Sequence, residues 1–244
     1  MKIAVFGSSG RMGMEVCQAL SDESDLELVA GIDVGDSRDA ALDADVAVDF
    51  THPDSVLDNI SWCVQHGIGV VVGTTGFTPE RLDMVRQMLG ENSEVGVMIA
   101  PNFAIGAVLM MYFSQVAAPY FESVEIIEAH HTGKADAPSG TAANTARMVA
   151  EARELAGTGP MPDATTHQVE GARGATIAGV HVHSVRLPGL IAQQEVRLAS
   201  SGETLTIVND ARSRSCYMPG VLRGIRWVAS HPGLTVGLEP VLGI

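Results

Sequence analysis

Between Glu128 and Ala142 the chain reads Glu-Ala-His-His-Thr-Gly-Lys-Ala-Asp-Ala-Pro-Ser-Gly-Thr-Ala. Two histidines, a lysine, an aspartate and a Pro-Ser-Gly-Thr turn thus fall within fifteen positions. These residue types suit proton transfer and the gripping of an anion. A histidine titrates near neutrality and can donate or accept a proton at working pH. Lys134 is one of only two lysines, the other being Lys2; a chain that otherwise uses arginine places a compact, tunable ammonium here. The Ser139-Gly140-Thr141 corner can cap a helix while its backbone N–H groups face a carboxylate. The same residues also fit a plain polar loop before a capped helix, with Lys134 paired to Asp136 or Glu128. Adjacent strand residues point to opposite faces, so His130 and His131 need not share a task. That alternation argues against a metal held by both, and no other ligand spacing occurs; no metal is expected.

The elements that position this stretch are an apolar run, Val124 to Ile127, read as a strand, and a helical pattern from Ala142 to Leu155. Ahead of them lies a strand–helix alternation. Lys2 to Phe6 reads as a strand, followed by Gly7, Gly10 and Gly13 and a helix through Leu20. This GxxGxxG spacing is a relative of the dinucleotide fingerprint: a tight turn, a close backbone approach to a pyrophosphate, and close helix–strand packing. Three glycines can also simply mark a turn. A second strand, Leu26 to Ile32, ends at Asp33, twenty residues beyond Gly13, where a carboxylate can accept hydrogen bonds from an adenosine ribose. Asp33 favours NADH over NADPH, although Arg11 and Arg38 could offset its charge. Further strands are read at Val46–Phe50, Gly69–Val72 and Val95–Ala100. Pro53 is placed in the first turn of a helix to His66, and Thr78 caps a helix to Leu89. Alternation of this kind predicts a doubly wound parallel sheet. Ligands gather at the carboxyl ends of such strands, so the glycine turn, Asp33, Gly73–Thr75 and Ala100–Phe103 should line one crevice.

After a helix near 106–120 the pattern changes. Gly157 to Gly179 reads as a long loop. Val180–Leu187, Gln193–Ala199 and Thr204–Asn209 read as strands in succession, which suggests an α+β region with an open mixed sheet. Met218–His231 reads as a helix and Leu234–Leu238 as a last strand rejoining the first sheet. Two domains are therefore expected: residues 1–104 with 213–244, binding the dinucleotide, and residues 105–212, binding substrate and carrying the oligomer contacts. The open face of the second sheet is free to be closed by a partner subunit.

Composition narrows the class. The chain has 244 residues, is 46% hydrophobic and carries a formal charge of −14. It can bury a core, and it lacks the basic face that nucleic-acid binding needs. Cys17, Cys63 and Cys216 lie inside apolar patterns and read as buried free thiols. The N-terminal apolar run is too short for a secretion signal. Val95 to Phe113 carries no charge but is broken at Pro101-Asn102, so no membrane span is expected. A soluble, cytoplasmic protein is expected.

In these motifs the chain resembles the 4-hydroxy-tetrahydrodipicolinate reductase (dihydrodipicolinate reductase) family. The resemblance rests on Glu128–Ala142, on the glycine turn ending in Gly10-Arg-Met-Gly13, and on Asp49-Phe-Thr-His-Pro53, Gly73-Thr-Thr-Gly76 and Ala100-Pro-Asn-Phe103. It covers nearly the whole chain. Thr132 and Gly133 depart from the bulkier residues frequent at these positions. The resemblance implies reduction of a cyclic imine dicarboxylate in the diaminopimelate route to lysine, with NADH or NADPH, by a homotetramer. It implies cofactor contacts at Gly7, Ser8, Ser9, Gly10, Arg11, Met12, Asp33, Gly73, Thr74, Thr75, Ala100, Pro101, Asn102 and Phe103. His130 and Lys134 become the acid–base residues, and His131, Lys134, Ser139, Gly140 and Thr141 substrate contacts. The nicotinamide would meet the ring across a crevice between domains that closes on its ligands. Two other readings stay open: a different two-domain nicotinamide dehydrogenase, and a nucleotide-sensing regulator without turnover.

Overall fold

The structure, a computed structural model, describes residues 1–91 and 93–244. Two compact units emerge, one of residues 1–105 and 214–244, the other of residues 106–213.

The first unit begins with strand β1 (Lys2–Phe6), helix α1 (Arg11–Ser21) and strand β2 (Glu27–Ile32). Strand β3 (Val46–Asp49), helix α2 (Val56–Gln65), strand β4 (Gly69–Val72), helix α3 (Pro79–Leu89) and strand β5 (Gly96–Ile99) follow. Every residue of β3, β4 and β5 is buried. That is why β4 and β5 read as unbroken apolar runs, as does β3 up to its terminal Asp49: helices cover a parallel sheet on both faces. The expected helix start at Pro53 is corrected. Residues 53–55 form a turn whose Ser55 and Val56 N–H groups both donate to the His52 carbonyl, and α2 begins only at Val56. α3 starts as expected, with the Thr78 side chain accepting from the Arg81 N–H and Pro79 at its first position.

The second unit contains helix α4 (Ile105–Ala117), strand β6 (Ser123–His130), helix α5 (Gly140–Leu155) and strands β7 (Ala175–Ile177), β8 (Val180–Arg186), β9 (Ala192–Ser200) and β10 (Glu203–Ala211). The chain then returns to the first unit as helix α6 (Met218–Val228), strand β11 (Gly233–Val236) and the short helix α7 (Glu239–Leu242).

The first sheet has the order β11-β5-β4-β3-β1-β2, and all its pairings are parallel. α1 and α6 lie against one face, α2 and α3 against the other. The order reverses beside β1, the switch point at which such sheets open a crevice. The second sheet is mixed, ordered β10-β9-β6-β8-β7, with β6 and β8 parallel and the other pairs antiparallel. α5 packs on β6, β7 and β8 through Ala142, Thr145, Ala146 and Val149. Buried Gln194 on β9 donates to Thr145 Oγ1 at 2.7 Å. Arg153 ends this helix as a buried clamp, donating to the carbonyls of Ala118, Phe121, Glu122 and Gly159.

Two expectations for the second unit are corrected. β6 runs three residues past Ile127 to His130, because its polar end is paired on both sides, His130 with Arg186 and with Ala192. The segment read as loop up to Gly179 contains β7, a short edge strand turned back onto β8 by Ala178 and Gly179. Of the cysteines only Cys63 is buried, with its thiol pushed up to about 12 by burial; Cys17 and Cys216 are half-buried.

Candidate active site

One candidate site lies in the first unit, at the carboxyl edge of the parallel sheet. Gly7 follows β1 with φ +78° and donates to the Ile32 carbonyl at 2.7 Å. A Cβ there would lie 2.5 Å from the Phe50 carbonyl oxygen. A Cβ on Gly13 would fall onto the Gly7 carbonyl and lie 2.8 Å from Ser8 Cα. The turn therefore folds back on the helix start at near-zero clearance, which leaves no room for a side chain at Gly7 or Gly13. α1 has Gly10 at its N-cap with no side-chain cap, and no acidic residue in its first turn. That leaves a positive helix end for phosphate.

Asp33 stands just beyond β2 and is tied to the glycine turn itself. It accepts from Ser8 Oγ at 2.7 Å, from the Ser9 N–H at 3.0 Å and from Ser9 Oγ at 2.6 Å. The Ser9 and Ser8 hydroxyls hold its carboxyl below the usual carboxylate range, so the charge is secure. Arg11 is exposed, whereas Arg38 Nε donates to Asn59 Oδ1 at 2.9 Å. Gly73, Thr74 and Thr75 follow β4. The Thr74 side chain points inward: it donates to Asp49 Oδ1 at 2.7 Å and accepts from the Thr51 N–H at 2.8 Å. Ala100, Pro101, Asn102 and Phe103 follow β5. Asn102 Oδ1 accepts from the Ala104 N–H, and the buried Phe103 ring lies 6.0 Å from that of Phe50.

Asp49 is a residue that sequence reasoning passed over. Fully buried at the end of β3, it also accepts from Asn59 Nδ2 at 2.7 Å and Thr51 Oγ1 at 2.8 Å. It joins the ends of β3 and β4 and the start of α2 into one network. The motif Asp49–Pro53 was visible, but its aspartate serves the frame rather than facing a ligand.

A second candidate site, in the second unit, lies at the end of β6 and the start of α5. Glu128 and His130 are two apart on one strand, so they share a face. His130 Nδ1 lies 2.5 Å from Glu128 Oε2. Arg186, paired with His130 across the sheet, grips both oxygens of Glu128 at 2.8 Å and also donates to the Asp136 carbonyl. The Ser139 N–H donates to Glu128 Oε1 at 3.2 Å, and Ser139 Oγ caps α5 by accepting from the Ala142 N–H. Burial pulls the His130 pKa below its ordinary value; Glu128 opposes that shift, while Lys134 and Arg186 reinforce it. Arg186 leads the groups that keep buried Glu128 ionised against the cost of desolvation. His131 follows the strand end, so the pleat does not set its direction.

Lys134 and the helix corner share one carboxylate. Lys134 Nζ lies 2.7 Å from Asp136 Oδ1, and the Gly140 N–H donates to Asp136 Oδ2 at 3.2 Å. The corner was expected to turn its N–H groups toward an outside anion; instead the Ser139 and Gly140 N–H groups are held by the chain's own Glu128 and Asp136. The strand thus brings together Glu128, His130, Lys134, Ser139 and Gly140. Thr141, half-buried in the first turn of α5, accepts at its carbonyl from Thr145 Oγ1. Sequence reasoning named Glu128 only as a possible partner of Lys134, a place Asp136 takes, and missed its bond to His130 and the role of Arg186. The first had a signal in the i, i+2 spacing of Glu128 and His130. The second had none, because a cross-strand pairing 58 residues away delivers it.

An uncapped helix behind a glycine turn, a carboxylate after the second strand and a proton-bearing cluster on a second unit define a dinucleotide-dependent oxidoreductase. Comparison with known proteins names the family. Residues 1–103 match the model for the N-terminus of dihydrodipicolinate reductase, and residues 106–242 match that for its C-terminus. The 4-hydroxy-tetrahydrodipicolinate reductase of Cutibacterium acnes is 56% identical over 244 residues, covering 100% of this chain and 99% of the relative. The enzyme of the same name from Thermobifida fusca is 59% identical over 245 residues, with 100% of both chains covered. The dipicolinate-bound dihydrodipicolinate reductase of Paenisporosarcina sp. TG-14 superposes with a TM-score of 0.88 at 36% identity, covering 98% of each chain. The chain belongs to the dihydrodipicolinate reductase family. Its activity is accordingly that of a nicotinamide-dependent reductase of the lysine pathway.

Proposed function

We propose that His130 is the proton donor in the reduction of the cyclic imine dicarboxylate, and that Lys134 and the Ser139–Thr141 corner hold a substrate carboxylate. The observation that carries this reading is the Glu128–His130 pair at the mouth of a capped helix, beside a lysine whose partner is already a carboxylate. Loss of the ring hydroxyl as water leaves a conjugated imine. NADH or NADPH, when bound, supplies hydride to a ring carbon. Electrons then move toward the imine nitrogen, and His130 delivers a proton at the ring. A substrate carboxylate takes over the Lys134 ammonium and the Gly140 N–H from Asp136, exchanging one anion for another. His131 and Thr141 add contacts to the same ligand. The Paenisporosarcina relative is bound to dipicolinate, a ring with two carboxylates, which supports a grip on an anionic ring here.

The dinucleotide is assigned to the glycine turn, Gly7 to Met12, with further contacts from Asp33, Gly73 to Thr75 and Ala100 to Phe103. Because the Thr74 hydroxyl is committed to Asp49, its contribution is through the backbone. Ionised Asp33 accepts ribose hydroxyls and repels a 2′-phosphate, which makes NADH the preferred reductant. Asp33→Ala is therefore expected to raise the KM for NADH about tenfold while changing that for NADPH far less. Steady-state kinetics with each nucleotide would show this; an unchanged NADH/NADPH ratio would move the ribose contact to another group.

The reading further makes the enzyme a cytoplasmic homotetramer joined through the mixed sheets. No described helix is long and apolar enough to cross a membrane. β10 is exposed along most of its length, and on one of its faces Leu205 and Ile207, two apart, are exposed and half-buried. Apolar strand faces of this kind are ordinarily covered. Light scattering should give four times the 25.6 kDa chain mass; a monomer mass would remove the tetramer.

The reaction assignment is tested by generating the substrate in situ and following loss of reduced-cofactor absorbance. Substrate-dependent oxidation supports it, and tight NADH binding without turnover supports the regulator.

A further inference from the structure

Glu128 is completely buried, yet it carries four strong partners: both Arg186 terminal nitrogens, the Ser139 N–H and His130 Nδ1. Ser184 is its register partner on β8. A buried carboxylate with a bidentate arginine is not needed to hold β6 to β8, because backbone pairing already does so from Glu125 to His130. An apolar pair of similar volume would do the packing at less desolvation cost. What the carboxylate does, and an apolar side chain could not, is accept the His130 Nδ1 hydrogen.

Resting on the reading of His130 as the proton donor, we propose that Glu128, fixed by Arg186, is its positioning residue. It keeps hydrogen on Nδ1 and so leaves Nε2 as the nitrogen that exchanges a proton with the ring. In the step itself the proton on Nε2 of the imidazolium passes to the ring, the Nδ1 hydrogen stays on His130, and Glu128 remains ionised. The arrangement is the one in which a carboxylate orients an imidazole and stabilises its charged form. The groups that face this imidazole are Glu128 from β6, Arg186 from β8 and Lys134 from the loop, with Asp136 behind Lys134. Of these, Glu128 is the carboxylate in contact with it. Removing its charge therefore lowers the affinity of His130 for a proton and moves the alkaline fall of kcat/KM to lower pH.

The experiment has two arms. Long-range nitrogen–proton NMR of histidine-labelled wild-type enzyme, with His130 assigned through His130→Ala, reads the tautomer of the neutral ring. Hydrogen on Nδ1 is expected; hydrogen on Nε2 would overturn the proposal, and this arm needs no variant that must fold without Glu128. In the second arm, Glu128→Gln offers an amide hydrogen to Nδ1 and so favours the wrong tautomer. Its kcat is expected to fall about 30- to 300-fold, with KM values within about threefold and the pH profile displaced as above. Retention of kcat within about threefold, while His130→Ala is inactive, would refute the positioning role. Full turnover in His130→Ala would instead refute the reading on which it rests.

Discussion

His130→Ala is expected to lower kcat by about a hundredfold or more, a barrier increase of about 2.7 kcal/mol, while leaving the affinity for NADH near that of the wild type. The reasoning is local. His130 shares a strand face with a carboxylate that takes its Nδ1 hydrogen, and only 13% of its side chain is exposed. Its burial lowers its pKa, so the imidazolium is a stronger acid than an exposed one. The nucleotide contacts proposed at Gly7 to Met12 and Asp33 lie on the other unit, and alanine at position 130 does not alter them. Stopped-flow turnover with separate calorimetry of NADH binding resolves the two effects. A variant with full kcat would place the acid elsewhere; one that lost NADH affinity equally would make the effect structural.

The second large effect is expected at the glycine turn. Gly13→Ala puts a methyl group onto the Gly7 carbonyl and 2.8 Å from Ser8 Cα. Backbone cannot step aside as a flexible side chain can, so the turn or the start of α1 must shift. The expected cost is about 3 kcal/mol, at the upper end for overpacking. The same shift moves the backbone proposed to meet the pyrophosphate, so the NADH KM should rise about tenfold. Both tryptophans, Trp62 and Trp227, lie in the first unit. Their emission therefore follows that unit's urea transition without interference from the second. A midpoint equivalent to less than about 0.5 kcal/mol of change would show that the turn is looser than drawn.

Much of the fold was legible because burial writes itself into parallel strands. β3, β4 and β5 are inaccessible on both faces and so carry short apolar runs. The Thr78-Pro79-Glu80 start of α3 was equally plain, since each residue there satisfies a specific need of a helix N-terminus. Where local chemistry and tertiary pairing disagree, the reading faltered. Pro53 is a good first-turn residue, yet the backbone spends Pro53 to Ser55 on a turn. The polar end of β6 looks like loop, yet sheet partners on both sides keep it extended as far as His130.

The candidate site divides in the same way. The glycine spacing, Asp33 and the His-His/Lys cluster follow from residue type and order. The engagement of Asp33 by Ser8 and Ser9 does not, because it depends on how β2 ends beside the turn. Nor does the grip of Arg186 on Glu128, which joins residues on strands made neighbours only by the sheet. Asp136 gave a signal as a possible partner for Lys134, but its second bond to the Gly140 N–H required the fold.

The claim on which all this depends is that hydride passes from the nicotinamide to a carbon of the cyclic imine. Turnover with NADH deuterated at the transferred position, followed by mass spectrometry and proton NMR of the product, tests it directly. The account predicts one deuterium bound to a ring carbon per NADH consumed, retained on exchange into ordinary water. A product without carbon-bound deuterium, or NADH consumed with no change in the imine, would contradict it.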